Sequence, residues 1–541
     1  MPQTTVLPSR PDAAADLPQL GFAEIRTMLR ERHEIALLDV REEDPHAQAH
    51  PLFAANLPLA RIELDAYTKL PRRDVSIVTL DNGEGFAELA ARRLIALGYT
   101  NVGVLSGGIT GWREAGGELF RDVNVPSKAF GELVEAERHT PSLDAAEVKA
   151  LIESKADIVI IDVRRFDEYH TMSIPTAISV PGAEVVLRIA ELAPRPETKI
   201  IVNCAGRTRS IIGTQSLINA GIPNPVAELR NGTMGWTLAG QVLDHGQSRR
   251  FGRVSEMTRA RAAESARAVA DRAGVRRASL ADLERWQRQE RRTTYFFDVR
   301  TTEEYEAGHL PGFRSMPGGQ LVQETDMVAP VRGAAIVLVD NDGVRANMTA
   351  SWLAQMGWEV YVRDDIAEAE FSERGPWCAP LPPAPAVRRI LPETLARRQA
   401  AGEDIAVLDF TTSANYRKRH VPGAWFVLRS QLADALKHIP PAGRYVLTCS
   451  STRLAMYVVP ELQALIDAEV LVLDGGNMAW FAAGLPEETG ETRMASPPID
   501  RYRRPYEGTD NPQEAMQGYL DWEFGLVAQL ACDGTHGFRV I

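Results

Sequence analysis

The feature that most constrains this chain is a spacing. Four times a short apolar run ends in aspartate, and some forty residues later a second apolar run ends in a small polar residue. The first ends are Asp39 in ALLDVR, Asp162 in IVIIDVR, Asp298 in YFFDVR and Asp409 in AVLDFT. The second ends are Asp81, Cys204, Asp340 and Cys449, so the intervals are 42, 42, 42 and 40 residues. Each second end passes through a short loop into a helical pattern and then a third apolar run, followed in three copies by a Gly-rich turn with tryptophan: VGVLSGGITGW, VAELRNGTMGW and LVLDGGNMAW. The third copy has a degraded EVYVRDDIAEAEF there. Short all-apolar strands alternating with helices require a parallel sheet covered on both faces.

The fold class is therefore α/β: four tandem modules, each a mainly parallel sheet flanked by helices, plus a helical tail. Their limits fall at 15–125, 133–250, 275–378 and 386–490, with the tail at 491–541. The Pro-rich CAPLPPAPAV separates the last two modules, and the Ala/Arg/Glu-rich MTRARAAESARAVADRAG predicts a connector helix packed on its neighbours. In the tail, Asp510 or Asn511 is the expected helix N-cap, with Pro512 in the first turn. That helix is expected to dock and bury Tyr519, Trp522 and Phe524.

Bulk properties exclude several classes. At 541 residues the chain is too long for one core. A net charge of -12 argues against nucleic acid or an anionic membrane as partner. No run approaches 18 apolar residues and the first residues lack a signal-peptide pattern, so the expected location is cytoplasmic. The four cysteines, Cys204, Cys378, Cys449 and Cys532, are far apart with no CxxC pair. Neither a disulfide framework nor a metal site is expected, and no cofactor is called for.

The stretch KIIVNCAGRTRSIIGTQSLINAG carries the chemistry. Cys204 follows a strand, and a helical pattern opens at Ser210. A loop facing a helix N-terminus turns N–H groups and partial positive charge toward the sulfur, which predicts a thiolate and a welcome for anions. With Arg207 and Arg209 in the same loop, a thiol pKa of about 3.5 to 7.5 is expected in place of about 8.5. The other cysteine at a strand end, Cys449, begins CSSTRLA; Arg453 stands four positions after it, and Leu454 takes the place of Arg209. Pro460 in the following helical stretch is expected to delay or kink it, which predicts a Cys449 pKa above that of Cys204.

Together the DVR at a strand end, EAGHLPGF and RHVPGAW after it, the Cys loop and the GGxxGW turn resemble the rhodanese-like sulfurtransferases, over about residues 15 to 490 as four modules. The resemblance implies that Cys204 is the sulfur-accepting cysteine and that Ala205, Gly206, Arg207, Thr208 and Arg209 complete a six-residue active loop. Related phosphatases use a seven-residue loop with Arg six positions after Cys, whereas Arg209 is five after Cys204, which favours sulfur transfer over phosphate hydrolysis. The first loop, DNGEGF, and the third, DNDGVR, have Asp for Cys and imply inactive modules; Cys449 with Arg453 is the candidate second site. In this family the N-terminal module of a pair covers the active loop of the second, which predicts that modules 1 and 2, and 3 and 4, form pairs.

The implied reaction moves a sulfane sulfur from thiosulfate or a related anionic donor to a thiol, cyanide or protein acceptor through a Cys204 persulfide. Two Arg favour a dianionic donor, and glutathione persulfide stays open. A second reading, from a different class, is a rhodanese-fold scaffold or persulfide carrier or sensor without efficient turnover.

Overall fold

The computed structural model describes residues 16–288 and 292–541; residues 1–15, over which part of the signal-peptide reading was made, lie outside the described residues. Four sheets repeat one strand order. In module 2 it runs Ser142–Leu143, Val226–Leu229, Lys199–Asn203, Ile158–Asp162, Ile178–Ser179, all parallel. The strand that ends in Asp lies beside the strand that leads to the loop, with Asp162 opposite Asn203. The same register sets Asp39 opposite Leu80, Asp298 opposite Val339 and Asp409 opposite Thr448. The constant spacing thus reflects one crossover length joining two central strands.

The DVR motif is structural. Arg164 donates from Nε and Nη2 to the two carboxylate oxygens of Asp162 at 2.9 and 2.7 Å, and both side chains are buried. Asp39 with Arg41 and Asp298 with Arg300 repeat the pair. Module 4 has no Arg there; Asp409 accepts instead from Thr411 N and Asn477 Nδ2, and burial pushes it up to about 6.

Modules 2 and 3 pack together, as do 1 and 4, which corrects the expected pairing of neighbours. The equivalent segments Gly182–Glu184 and Gly318–Gln323 meet, with Gly182 and Gly319 in backbone contact. Leu59–Arg61 meets Arg429–Gln431 in the same way, locked by Arg429 to Glu63 at 2.7 and 2.8 Å. Modules 1 and 3 also share a sheet edge, since Val331–Arg332 pairs antiparallel with Ile35–Ala36.

Connectors hold the rest. The boundary expected between residues 125 and 133 lies inside a helix, Val125–Arg138, whose first two turns are buried. The connector Glu256–Arg272 packs on the helices Arg345–Gln355 and Val185–Leu192, as expected. Where the third Gly-rich turn is degraded, a single 3-10 turn, Glu368–Glu370, replaces the helix. The tail forms two helices, Gln513–Phe524 and Leu526–Asp533. Its first N-cap is Pro512, not Asp510 or Asn511. Tyr519 is buried and Trp522 half-buried, but Phe524 stays 55% exposed.

Candidate active site

The loop after the strand Lys199–Asn203 is shaped from behind. Its carbonyls face the helix Gly232–Leu238: Thr233 N–H donates to Cys204 O at 2.9 Å and Met234 N–H to Ala205 O at 3.0 Å. Gly232, at φ +53°, permits this approach, since a Cβ there would stand 2.3 Å from Cys204 O. These two carbonyls are thereby committed to that helix. The helix Thr208–Asn219 begins two residues earlier than the pattern indicated.

Modules 1 and 3 reveal what such a loop holds. Asp81 accepts from Gly83 N and Ala87 N, both at 3.0 Å. Asp340 accepts from Gly343 N at 2.9 Å and Ala346 N at 2.7 Å. Each carboxyl group fills a set of backbone donors with acceptor oxygens that the chain itself supplies, and burial beside Asp342 pushes Asp340 up. In module 2, Cys204 occupies the matching position, and the matching donor six residues on is Ser210 N, which acts on Cys204.

Cys204 is 1% exposed, and burial pushes its thiol up rather than down. Arg209 and Ser210 oppose that push, while Glu228 adds to it. The expectation of a lowered pKa is therefore corrected for this closed arrangement: desolvation of a fully buried sulfur outweighs the helix end and the arginine. Ser210 Oγ lies 3.4 Å from Sγ and 2.7 Å from Glu228 Oε2.

Neither loop arginine is a bare cation. Arg207 is buried and donates from Nε to Glu132 Oε1 at 2.7 Å and from Nη2 to Glu132 Oε2 at 2.9 Å and to Glu135. Both acids belong to the helix Val125–Arg138, so Arg207 clamps the loop to that connector. Arg209 forms a two-point pair with Glu168 at 2.8 and 2.9 Å. This pair holds Glu168 down to about 2. Arg209 is the arginine whose charge reaches the sulfur. The shared anion-binding role expected for the two arginines thus divides: Arg209 keeps a path to Cys204, and Arg207 is consumed by carboxylates.

Cys204, Ala205, Gly206, Arg207, Thr208 and Arg209 all line one cavity of about 20 Å³. Sequence reasoning missed its other walls: Ser127 and Lys128 of the connector, Gln323 of module 3, and Tyr506, Tyr519 and Glu523 of the tail. Lys128 pairs with Asp122 at 2.7 Å and points at the rings of Tyr506, Tyr519 and Trp522, 5.0 to 5.6 Å from their centroids. Glu523 accepts from Tyr519 Oη at 2.9 Å, and burial pushes it up to about 8. No local pattern connects residues 128, 204 and 523, so no signal in the sequence gathers them. A larger cavity of about 490 Å³ adjoins, sharing Arg209, Gln323 and Tyr506 and lined also by Arg164, Arg165 and Arg504.

At the second cysteine, Cys449 is buried, its Sγ contacts Ser451 O, and burial pushes the thiol up as at Cys204, so the directions do not rank the two sites. N–H groups of Ala455, Ser451 and Leu454 oppose the push, and no arginine of its own loop is among the main opposing groups. Arg453 is exposed as the first residue of the helix Arg453–Gln463. That helix opens four residues after Cys449, as its counterpart does after Cys204, with Pro460 inside it; the expected delay is absent because the proline falls past the first two turns. Arg61 of module 1 lies within electrostatic reach of Cys449. Among the described residues, no group of three or more His, Cys, Asp and Glu side chains is arranged to hold a metal ion, and no helix is long and apolar enough to cross a membrane.

Comparison with known proteins agrees with this architecture. The family model described as Rhodanese-like domain matches residues 22–115, 144–239, 279–365 and 391–483. The crystal structure of thiosulfate sulfurtransferase from Pseudomonas aeruginosa is 69% identical, with a TM-score of 0.95, over 97% of this chain and 99% of that one. An HTH-type transcriptional regulator of Mycobacterium tuberculosis is 32% identical over 90 residues, 17% of this chain and only 39% of the regulator's length. With four matched segments spread along its length and a relative aligned over nearly all of it, the chain belongs to the rhodanese family, as a tandem of four rhodanese-like domains.

Proposed function

We propose that this chain is a thiosulfate sulfurtransferase working through a persulfide on Cys204, with the loop Ala205 to Arg209 as its anion ring. The observation that carries this reading is the equivalence of Cys204 with Asp81 and Asp340: in the same fold position, two carboxyl groups already accept hydrogen bonds from loop N–H groups. The 69% identical structure bears the name of that activity. The thiolate attacks the outer sulfur of thiosulfate, the S–S bond breaks, and sulfite leaves with the electron pair. The persulfide terminus, one atom longer than the thiolate, reaches into the donor ring, where charge-assisted hydrogen bonds stabilise it. An acceptor thiolate, cyanide or protein cysteine then takes the outer sulfur and restores the thiolate.

A cavity of about 20 Å³ admits about one water. Thiosulfate is larger, so turnover in this reading includes withdrawal of the tail helix or of Gln323. The reading also includes the module limits 15–125, 133–250, 275–378 and 386–490, Cys449 with Arg453 as a minor or silent site, and a cytoplasmic setting for a protein of four free cysteines with no nucleic-acid or membrane partner. Intact-mass and peptide analysis after exposure to thiosulfate tests it. One added sulfur located on Cys204 and lost on addition of cyanide is expected; an unmodified Cys204, with no Cys204-dependent thiocyanate formed, removes the reading in favour of a scaffold or carrier.

A further inference from the structure

Glu228 is an ionisable residue on a buried strand, and the reaction as described has no use for it. It lies in Val226–Leu229, between Ser142 and Val202 in register, and is 0% exposed. Its Oε2 stands 2.7 Å from Ser210 Oγ, and its Oε1 is buried with no hydrogen-bond partner among the described residues. Ser210 Oγ in turn stands 3.4 Å from Cys204 Sγ and 2.8 Å from Arg207 O. A serine hydroxyl has one proton; when Glu228 donates to Ser210 Oγ, only Arg207 O and the sulfur are left to accept it, and of these a sulfur anion carries the full charge.

We propose that Glu228 and Cys204 are a coupled pair joined through Ser210, in which the protonated carboxyl commits the Ser210 hydroxyl to the sulfur anion and the ionised carboxyl withdraws it. Two arrangements with the same proton count follow. With a thiol and a carboxylate, Sγ–H donates to Ser210 and Ser210 donates to Glu228. With a thiolate or persulfide and a carboxylic acid, Glu228 donates to Ser210 and Ser210 donates to sulfur. Interconversion reverses the chain: the S–H and Ser210 O–H bonds break, a new O–H forms on Ser210 and another on Glu228, and the S–H electron pair stays on sulfur. Glu228 touches no substrate; it is a positioning residue acting through Ser210.

The surroundings favour a neutral carboxyl at the start. Burial pushes Glu228 up to about 8. Of the charged groups facing it, Arg207 in the loop favours ionisation, whereas Glu132 and Glu135 on the connector helix oppose it. A buried acid kept neutral so that it donates a hydrogen bond toward a developing anion is an established device in other enzymes.

The proposal rests on the sulfur-transfer reading for its importance, but its test does not use thiosulfate. The rate of Cys204 alkylation by iodoacetamide would be followed against pH in the full-length protein carrying Cys378→Ser, Cys449→Ser and Cys532→Ser. The starting protein should titrate in two separated steps, as coupled groups do. Glu228→Gln, whose amide donates to Ser210 at every pH, should give one step with its midpoint at least about one pH unit below the upper step, so that alkylation near that step is about tenfold faster. Ser210→Ala should slow alkylation at neutral pH by about 2- to 12-fold, the loss of one hydrogen bond. Adding Glu228→Gln to Ser210→Ala should shift the midpoint much less than Glu228→Gln alone. A single step in the starting protein, or an equal shift with and without Ser210, overturns the coupling. If Glu228→Gln does not fold, Ser210→Ala decides alone, and unchanged neutral alkylation overturns the proposal. Normal coupling with no thiosulfate turnover overturns the functional reading instead.

Discussion

Arg207 Nε donates to Glu132 Oε1 across 2.7 Å, which ties the Cys204 loop of module 2 to the connector helix Val125–Arg138. Arg209, two residues on, pairs with Glu168 in its own module and keeps its influence on Cys204. Two arginines that look alike in the sequence therefore do different work. Arg207→Ala leaves two acids facing each other at a buried site, which should cost about 3 to 5 kcal/mol of stability. Arg209→Ala should leave stability nearer to normal but lower kcat/KM for thiosulfate by about 10- to 150-fold, the loss of one charge-assisted contact of about 1.5 to 3 kcal/mol. Chemical denaturation and steady-state kinetics on both variants separate the roles; the same loss of stability in each would count against this division.

Cys204→Ser should abolish sulfur transfer with an unchanged unfolding midpoint, because the loop is held by Thr233 N, Met234 N and Gly232 and not by sulfur. Cys449→Ser alone should retain most of the activity, since its own loop holds no counterpart of Arg209 and Arg453 is exposed. Turnover measured in both single variants and in the double variant decides; activity that survives in Cys204→Ser and vanishes in Cys449→Ser would reverse the assignment.

Gly232→Ala places a methyl group 2.3 Å from Cys204 O at φ +53°. Backbone must move, so a loss of more than about 1 kcal/mol and a fall in kcat are expected. Gly116→Ala, at φ +85° with nothing within 4 Å of the new carbon, has the strain without the clash and should leave kcat alone. Equal kinetic effects of the two substitutions would show that the contact behind the loop is unimportant.

Docking of the tail helix should weaken as pH rises. Glu523 is pushed from 4.5 up to about 8 in the docked state. A carboxyl raised on docking has its full benefit below about 4.5 and loses it progressively up to about 8, by up to about 1.4 kcal/mol per pH unit in that window. Hydrogen exchange over residues 513–524, corrected for the intrinsic pH dependence, should show protection falling across the window. Glu523→Gln should keep its protection at pH 8. A pH-independent tail in the parent protein would refute this account.

Much of the architecture was legible in the sequence because it is written in local patterns. A strand that ends in Asp, a crossover of fixed length and a strand that ends at the loop recur in order, and hydrophobic periodicity with glycine at the turns suffices to call a parallel α/β module four times. Cys204 and its loop were legible for the same reason, since strand, cysteine and helix follow one another within a few residues.

What only the tertiary structure decided are the partners brought from far along the chain. The sequence counts charges, so Arg207 and Arg209 read as an anion trap; the fold assigns Glu132 and Glu135 to one and Glu168 to the other. The sequence sees a helix end beside Cys204 and expects a lowered pKa, but burial by Tyr519, Glu523, Lys128 and Gln323 reverses the direction. Pairing of module 2 with 3 and of 1 with 4 likewise depends on which equivalent surfaces meet, such as Gly182 against Gly319, and every module carries a version of that segment. Local order follows from backbone periodicity and turn chemistry, which neighbours in sequence dictate. Desolvation and charge pairing depend on distance in space, and that is fixed only when the four sheets and the tail pack together.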